Sequence, residues 1–501
     1  MCGAIKLQPS FWSLWLVLAG MVHPLPAQQD SLAEKSRLAK KALLDGQYAQ
    51  SVDLYREVLK ALPDNPGLRL NLVVALEKAG HPSAAIPEAE RVIHIDPKSG
   101  PAWLLLGLAY QQLNQPQKAI QPLREAVRLD SKNREAMFEL ADAELTTGDL
   151  HDAAKDFGAL TAMYPDFPKA WEGLGRAYLA LSEDSFRQLE KQASDSAFSL
   201  ALLARSRASE GRYSEALSIY ASALERSSTI PGLHLARAEI YRRTKHDDWA
   251  AIEQERESRL PKPDCARQPA ACAYLSADWQ RALTVATQVR SPENLYWSTL
   301  ASSHLAEESF NKLANFPQSP GMHTVIADYD QRTGRRLEAI AEWRKALNLN
   351  PSDRMLQARL AESLFRAREY PEAEQILTAL IAQQPENGEW QYLFGNVLLQ
   401  LKRDEDALPH LVAATRLLPN LLPAQEALGR VYLDLDKPDE AVAHLEKARP
   451  LDDGSISFAL SSAYRKLGRQ QEARAALARY QALSKQRPAA SSDNEGTIPP
   501  P

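Results

Sequence analysis

The sequence predicts an all-α protein built from a row of helix pairs. Three regularities predict it: a recurring aromatic and Leu-Gly motif, a small residue at a nearly constant distance behind it, and prolines between the units. The chain has 501 residues, too many for one compact core, and a row of small units accounts for this length. Glycine and proline, at 21 and 32 residues, have ordinary frequencies, which excludes a collagen-like or wholly disordered chain.

The first helix of a unit, helix A, is marked by the pattern W-x2-L-G-x2-Y. Residues 103–110 read WLLLGLAY, residues 171–178 read WEGLGRAY, and residues 428–432 read LGRVY. On a helix these positions share one face, and the small glycine lets a neighbouring helix approach closely.

The second helix, helix B, is marked by a small residue where it crosses helix A, because a bulky side chain there would push the helices apart. These small residues are Ser51, Ala85, Ala119, Ala153, Ala216, Ala250, Ala339, Ala373, Ala407, Ala441 and Ala473. Prolines end helix B, since proline lacks the N–H that a helix needs. They are Pro63, Pro97, Pro165, Pro351, Pro385 and Pro419. Glycines that favour the turn between helices A and B are Gly46, Gly148, Gly211, Gly334 and Gly468.

The register of the units predicts about fourteen helix pairs. They start at residues 32, 66, 100, 134, 168, 197, 231, 263, 294, 320, 354, 388, 422 and about 454. The units at 168, 263 and 294 are degenerate. In the first of them, Phe186, Leu189 and Ala193 are expected to form a brief helix B, and Ser309-Phe310 in the third repeats the Ser185-Phe186 pattern. An irregular helical insertion over 263–319 is the alternative interpretation.

These motifs resemble those of the tetratricopeptide repeat (TPR) family. The resemblance covers roughly residues 28–484 and implies a right-handed superhelical solenoid, whose inner groove, lined by the A helices, binds peptides or partner helices. The domain boundaries that follow are an N-terminal array at 28–196, a central and partly degenerate region at 197–319, and a C-terminal array at 320–487. Residues 488–501, rich in small residues and proline, are expected to be a disordered tail.

The resemblance also implies which residues face the groove, at helix A positions 2, 5, 9 and 12 and their neighbours. They are Phe138, Asp142, Arg176, Phe198, Arg205, Glu239, Arg242, Glu362, Phe365, Tyr392, Asn396, Arg430, Phe458 and Arg465. Aromatic and arginine anchors mixed with charges of both signs suit a protein or peptide partner. Related chaperone cofactors hold a C-terminal carboxylate at positions that here read Ser36, Lys40, Asn71, Pro101 and Leu105, and only Asn71 matches.

The N-terminus predicts export. A lone Lys6 precedes an apolar run at 11–22, and Leu25-Pro26-Ala27 follows it, so residues 1–27 are interpreted as a signal peptide. The mature protein is then secreted or periplasmic. The alternative is an uncleaved membrane anchor at 11–22, which would be the protein's only membrane attachment.

Cys265 and Cys272 are seven residues apart, and Pro263 and Pro269 interrupt the helix around them. In an oxidising compartment they are a disulfide candidate, with two free buried thiols or a metal or redox role as alternatives. His410 and His444 occupy equivalent B-helix places and are interpreted as surface histidines, about 10 Å apart and too far for shared metal ligation.

Enzyme and nucleic-acid functions lack support in the sequence. It contains no nucleophile elbow, zinc-protease motif, phosphate-binding loop or dinucleotide fingerprint. A net charge of −5 and the lack of a polybasic run argue against nucleic acid. The predicted function is therefore a non-catalytic scaffold, without cofactor or metal, that binds a protein or peptide within a cell-envelope assembly. The alternatives are a glycan-binding or glycan-processing protein using 263–319, supported by Trp279, Tyr296 and Trp297, and a structural spacer.

Overall fold

The structure is all-α, as predicted. The computed structural model describes residues 26–317, 319–486 and 498–501, which hold 26 α-helices, one 3₁₀ helix and no β-strand. The helices are α1 (Pro26–Leu44), α2 (Tyr48–Ala61), α3 (Pro66–Lys78), α4 (Pro82–Ile95), α5 (Gly100–Gln112), α6 (Pro116–Leu129), α7 (Arg134–Thr147), α8 (Leu150–Met163), α9 (Pro168–Ala193), α10 (Ala197–Ser209), α11 (Tyr213–Arg226), α12 (Leu233–Arg243), α13 (Asp247–Ser258), α14 (Pro269–Leu275), α15 (Trp279–Ala286), α16 (Pro292–Leu313), α17 (Pro320–Arg332), α18 (Arg336–Leu349), α19 (Arg354–Arg366), α20 (Tyr370–Gln383), α21 (Gly388–Gln400), α22 (Asp404–Leu417), α23 (Leu422–Asp434), α24 (Pro438–Ala448), α25 (Ser455–Lys466) and α26 (Gln470–Gln486). The 3₁₀ helix spans Arg449–Leu451.

The chain forms two compact units, residues 1–156 and residues 157–501. In the first unit each helix packs on the next one in sequence, as in the pairs α1 with α2, α3 with α4 and α5 with α6. The A helices also pack side by side, α1 on α3, α3 on α5 and α5 on α7. This is the arrangement that the regular spacing of the predicted units implies.

Helix starts are fixed by residues that the sequence repeats. Asn65, Asn133, Asp353 and Asn387 each precede a helix, and each side chain accepts a hydrogen bond from a backbone N–H of the first turn. Such caps satisfy N–H groups that have no partner inside the helix.

The tryptophan of the repeat motif ties helix A to the loop before it. Trp103 Nε1 donates to the Pro97 carbonyl at 3.0 Å, and Trp171 Nε1 donates to the Pro165 carbonyl at 2.9 Å. Elsewhere a glutamine replaces it, and Gln357 Nε2 donates to the Pro351 carbonyl at 2.9 Å. The proline that ends one unit therefore also orients the start of the next.

The second unit departs from a single row of hairpins at α9. This helix runs without a break for 26 residues, so Phe186, Leu189 and Ala193 belong to it, and the expected brief helix B does not form. The prediction of a helix pair that starts at 294 is also wrong, because Pro292–Leu313 form one 22-residue helix, α16.

Helix α16 takes the place of helix B for α9. Ser182 Oγ donates to the Thr299 carbonyl at 3.0 Å, and Ser185 Oγ lies 2.9 Å from Ser298 Oγ. Nearer the start of α9, a Cβ on Gly175 would lie 2.7 Å from the Phe310 ring. The contacts run in opposite directions along the two helices, so α9 and α16 form an antiparallel pair whose members are far apart in sequence.

Between α9 and α16 the chain forms a separate group of three helix pairs, here called the inserted layer (residues 194–291). Its pairs are α10 with α11, α12 with α13, and the short α14 with α15. The pair that the sequence predicts from residue 263 is therefore present. Among the described residues, helix contacts define twelve pairs, with α9 and α16 as one of them, against the fourteen expected.

The inserted layer has a buried core that packs against the C-terminal half of α9 and the N-terminal half of α16. Leu189 of α9 and Leu295 and Leu300 of α16 share one hydrophobic cluster with residues of α10 to α14. Cys265 and Cys272 form a disulfide at the entry to α14, with their Cα atoms 5.5 Å apart. The bond closes the loop that connects α13 to α14.

After α16 the regular pairing returns in the C-terminal array, α17 to α26. Consecutive helices pair from α17 with α18 through α25 with α26, and the A helices α19, α21, α23 and α25 pack side by side in that order.

The chain termini are described only in part. The predicted signal peptide lies outside the described residues except for Pro26 and Ala27, which begin α1. No helix in the described part of the chain is both long and apolar enough to span a bilayer. Of the predicted disordered tail, residues 488–497 lie outside the described residues, and Ile498 packs on the core of the inserted layer.

Candidate functional site

Four A helices of the C-terminal array each carry a polar side chain at one equivalent position. Asp328, Glu362, Asn396 and Arg430 are spaced 34 residues apart, on α17, α19, α21 and α23. We call them the polar row. Because α19, α21 and α23 pack side by side, three of these residues occupy matching places on adjacent helices.

The polar row changes charge along its length, from two acids through an amide to an arginine. Glu362 accepts hydrogen bonds from Arg359 at 3.4 Å and Arg366 at 2.8 Å, so its charge is locally balanced. Burial raises the pKa of Asp328, against the opposing effect of Arg359 and Arg332. At the row position itself the acids lie on α17 and α19 and the base lies on α23, and this order can fix the direction of a bound chain.

At the other end of the row, Arg430 is exposed and donates to Glu426 at 2.8 Å. Two further predicted groove residues extend the surface onto α25. Phe458 has 51% of its surface exposed and lies beside Tyr480, with ring centroids 5.3 Å apart. The exposed Arg465 lies on the same helix. Exposed aromatic and arginine side chains together have the composition of a partner anchor.

Phe365 and Tyr392 are less accessible than the sequence suggests. Both are half-buried and pack against the core of the C-terminal array. Asn396 Nδ2 donates to the Tyr392 carbonyl at 3.1 Å, within α21. Truncating either aromatic side chain would therefore affect packing as well as any partner.

The predicted groove residues are distributed over several elements of the structure. Phe138 and Asp142 are half-buried on α7 in the first unit, while Arg176 is exposed on α9. Phe198 and Arg205 lie on α10 of the inserted layer, which pairs with α11 and not with a helix of the C-terminal array. The long-range pairing of α9 with α16 is the reason, since it removes α10 to α15 from the regular row.

Glu239 and Arg242, on α12 of the inserted layer, were predicted to face the same groove. They pair with each other at 3.0 Å, and Arg243 also binds Glu239 at 3.0 Å. They form an exposed charge cluster within one helix.

The aromatic residues that support a glycan site are mostly core residues. Tyr296 and Trp297 are only 5% and 1% exposed, so neither can offer a ring face to a sugar. Trp279 is half-buried and stacks on His304, with centroids 4.7 Å apart. These rings hold α15 and α14 against α16, and the glycan alternative loses two of its three residues.

Family models described as tetratricopeptide repeat match residues 104–154, 138–197, 324–379, 358–421 and 426–490, and others of the same description match 42–107 and 199–232. The chain belongs to the tetratricopeptide repeat family. Proteins of this family generally mediate protein–protein interactions and act as non-catalytic scaffolds.

Curated relatives match parts of the chain. One stretch of 145 residues is 26% identical to small glutamine-rich tetratricopeptide repeat-containing protein 2 of Mycosarcoma maydis, covering 27% of this chain and 41% of that protein. Another of 68 residues is 35% identical to the heat-shock protein cognate co-chaperone sgt12 of Aspergillus fumigatus, covering 14% of this chain and 20% of the relative. The chain thus spans less than half the length of these relatives.

Solved structures align with about a third of the chain. A crystal structure of MamA covers 34% of this chain and 96% of MamA, with 20% identity and a TM-score of 0.30. YrrB, described as a TPR protein with an unusual peptide-binding site, covers 33% of this chain and 87% of its own, with 21% identity and a TM-score of 0.29.

Several TPR units share a polar pair that joins helix A to helix B at a separation of 19 residues. Gln391 Oε1 lies 2.7 Å from His410 Nδ1, and Gln425 Oε1 lies 2.7 Å from His444 Nδ1. The amide nitrogen of Gln391 meanwhile donates to the Pro385 carbonyl at 2.8 Å, so the imidazole is the donor to the glutamine oxygen. His410 and His444 are therefore half-buried packing residues, and the prediction of surface histidines is wrong.

Burial lowers the pKa of both His410 and His444. A histidine whose pKa is lowered on folding is held neutral, so protonation favours the unfolded chain. The neutral histidine contributes its full stabilising effect when the pH is above the pKa of histidine in the unfolded chain, about 6.5, and this effect is lost as the pH falls through the lowered pKa of the folded chain.

We expect the melting temperature of the protein to fall between pH 7.5 and pH 5, and to fall less in the double variant His410→Gln/His444→Gln. An equal fall in the two proteins, measured by circular dichroism, would contradict this.

A polar cavity of about 340 Å³ lies where α16 meets α17 and α18. Burial raises the pKa of Asp330 to about 6, although Arg335 lies 2.7 Å away. Arg335 also covers the Tyr329 ring at 4.7 Å. The sequence did not predict this cavity, because the helix pair expected from residue 294 is in the structure the single continuous helix α16.

No group of three or more His, Cys, Asp or Glu residues within the described ranges is placed to hold a metal ion.

Proposed function

We propose that this protein is a non-catalytic scaffold that binds a protein or peptide partner along the A-helix face of its C-terminal array. The observation that carries the proposal is the polar row, which repeats at one helix position while its charge changes from acidic to basic. A partner that lies across the repeats would meet Glu362, Asn396 and Arg430 in succession. Its own charges would be arranged in the opposite order.

The proposed setting is a cell envelope or the extracellular space. The signal-like segment at 1–27 supports export, and the disulfide between Cys265 and Cys272 is suited to an oxidising compartment. The partner we propose is not the carboxylate terminus that chaperone cofactors bind, since only Asn71 matches the residues needed for it.

A charge exchange within the polar row tests the proposal. In Glu362→Lys/Arg430→Glu the net charge is unchanged, but the acidic and basic ends of the row are reversed. We expect the partners that the wild-type chain captures from its native envelope fraction to be lost, because each charged group would now face a like charge. Crosslinking followed by quantitative mass spectrometry measures the loss.

The matched control exchanges a charge pair on B helices instead. Arg344 on α18 and Glu372 on α20 form an exposed salt bridge of 2.6 Å, and Arg344→Glu/Glu372→Arg keeps both the pair and the net charge. Capture by this variant is expected to equal that of the wild type. The proposal fails if the control loses the same partners, or if the row variant keeps them.

A further inference from the structure

The last four residues of the chain lie on the inserted layer. The hydroxyl of Tyr241, on α12, donates a hydrogen bond of 3.0 Å to the Pro499 carbonyl. Ile498 packs against the hydrophobic core of the same layer, and Ile498, Pro499 and Pro501 are each partly buried. The sequence Ile-Pro-Pro-Pro thus occupies a surface whose other residues are far away in the chain.

The surface under this segment is held by a buried polar network. Tyr241 is fully buried when the segment is in place. Its ring makes an edge contact with Trp249, with ring centroids 5.6 Å apart. Arg237 Nη2 donates to the Tyr241 hydroxyl at 3.4 Å, and Glu253 lies 3.2 Å from Arg237. Because the Tyr241 hydroxyl oxygen accepts the bond from Arg237, the hydroxyl proton is available for a carbonyl group outside the network.

Glu253 anchors the network from α13. It is fully buried, lies 2.6 Å from His234 Nδ1, and accepts a hydrogen bond from Arg256 at 2.7 Å. Arg237 is 7% exposed, and its Nε has no hydrogen-bond partner. The network thus presents the Tyr241 hydroxyl as a fixed donor to the segment.

A proline-rich segment has the complementary chemistry. Proline has no backbone N–H, so a run of prolines offers carbonyl acceptors without donors. Such runs adopt the extended polyproline conformation before binding and lose little entropy when they dock on aromatic surfaces. Burial raises the pKa of Tyr241, which keeps its hydroxyl protonated as a donor.

We propose that this face of the inserted layer is a binding site for proline-rich segments that begin with an aliphatic residue, and that Ile498–Pro501 occupies it as an intramolecular ligand. An external segment of the same kind has to displace the tail. A tethered ligand competes at an effective concentration on the order of millimolar, so the free site is exposed only when the tail leaves. This site is separate from the polar row, and the proposal stands without it.

The test uses a fluorescent synthetic peptide, Thr-Ile-Pro-Pro-Pro, and the chain with residues 498–501 deleted. We expect the peptide to bind the truncated chain at least about tenfold more tightly than the full chain, measured by fluorescence anisotropy. The control peptide Thr-Ile-Ala-Ala-Ala is expected to bind neither. Equal binding to both chains, binding to neither, or equal binding of the control peptide overturns the proposal.

Two point variants separate the site from general folding effects. Ile498→Asp changes only the tail, so the full chain carrying it is expected to bind the peptide as tightly as the truncated chain does. Tyr241→Phe in the truncated chain removes one hydroxyl, and we expect about fivefold weaker binding from the lost hydrogen bond. Unchanged affinity in Tyr241→Phe, or failure of Ile498→Asp to expose the site, contradicts the assignment. Tail-dependent dimers in sedimentation would show that the tail docks on a second copy, which overturns the intramolecular part.

Discussion

Phe310→Ala is expected to lower the free energy of unfolding by about 3 to 5 kcal/mol. The loss comes from packing between α9 and α16, two helices that are distant in sequence. Phe310 is 4% exposed, fills the space over Gly175, and lies 4.3 Å from the Tyr329 ring. Its removal leaves a cavity at the contact through which α9 meets its partner. Hydrogen exchange should therefore accelerate in α9 and α16 together.

The control is Phe186→Ala, at the place in α9 that has the same local sequence, Ser-Phe-x2-Leu. Phe186 is only half-buried, against the core of the inserted layer. We expect a smaller loss that is confined to that layer. Faster exchange in α16 with α9 unchanged in Phe310→Ala would show that the two helices are not paired.

Gly395→Leu is expected to destabilise the C-terminal array by about 3 kcal/mol, the upper part of the range for overpacked cores. A Cβ at this position would lie 2.6 Å from Leu411 Cγ, so the added side chain has no room unless α21 and α22 separate. Urea denaturation followed by circular dichroism measures the change.

Gly158→Ala provides the opposite case. A Cβ on Gly158, within α8, would meet no other atom within 4 Å. We expect a gain of up to about 1 kcal/mol, since alanine favours a helix more than glycine does. Losses of similar size in the two variants would mean that close helix contact does not explain the glycine of the motif.

The regular repeats could be predicted because their signals are local. A cap, a proline, a motif tryptophan or glutamine and a Leu-Gly pair all act within one unit or on its immediate neighbour. The pair α21 and α22 illustrates this, because it starts at Gly388, the residue that the register predicts. Adjacent units then repeat the same contacts.

The pairing of α9 with α16 could not be read in this way. A missing turn glycine is no signal, because the turns at Asn114, Arg368, Lys402 and Asp436 adopt positive φ without one. Ser298, which contacts Ser185 across the two helices, belongs to none of the sequence motifs of the repeats. Their proximity depends on the fold of nearly a hundred intervening residues.

Other parts of the candidate site were within reach of the sequence. The polar pairs His234 with Glu253, His323 with Glu342 and Gln391 with His410 recur at a separation of 19 residues, which a search for complementary residues at fixed distance would have found. The burial of Tyr296 and Trp297 was not predictable from their own unit. It comes from contact with Tyr274 and Phe198, on helices of other units.

The antiparallel pairing of α9 and α16 has a consequence for how this protein can evolve. The chain leaves the array at the end of one long helix and returns along its partner, so the exit and entry points are neighbours. A lineage can gain, lose or replace such an excursion without changing the order of the surrounding units. Selection can therefore alter this lateral module while the helix pairs of the array that carries it stay the same.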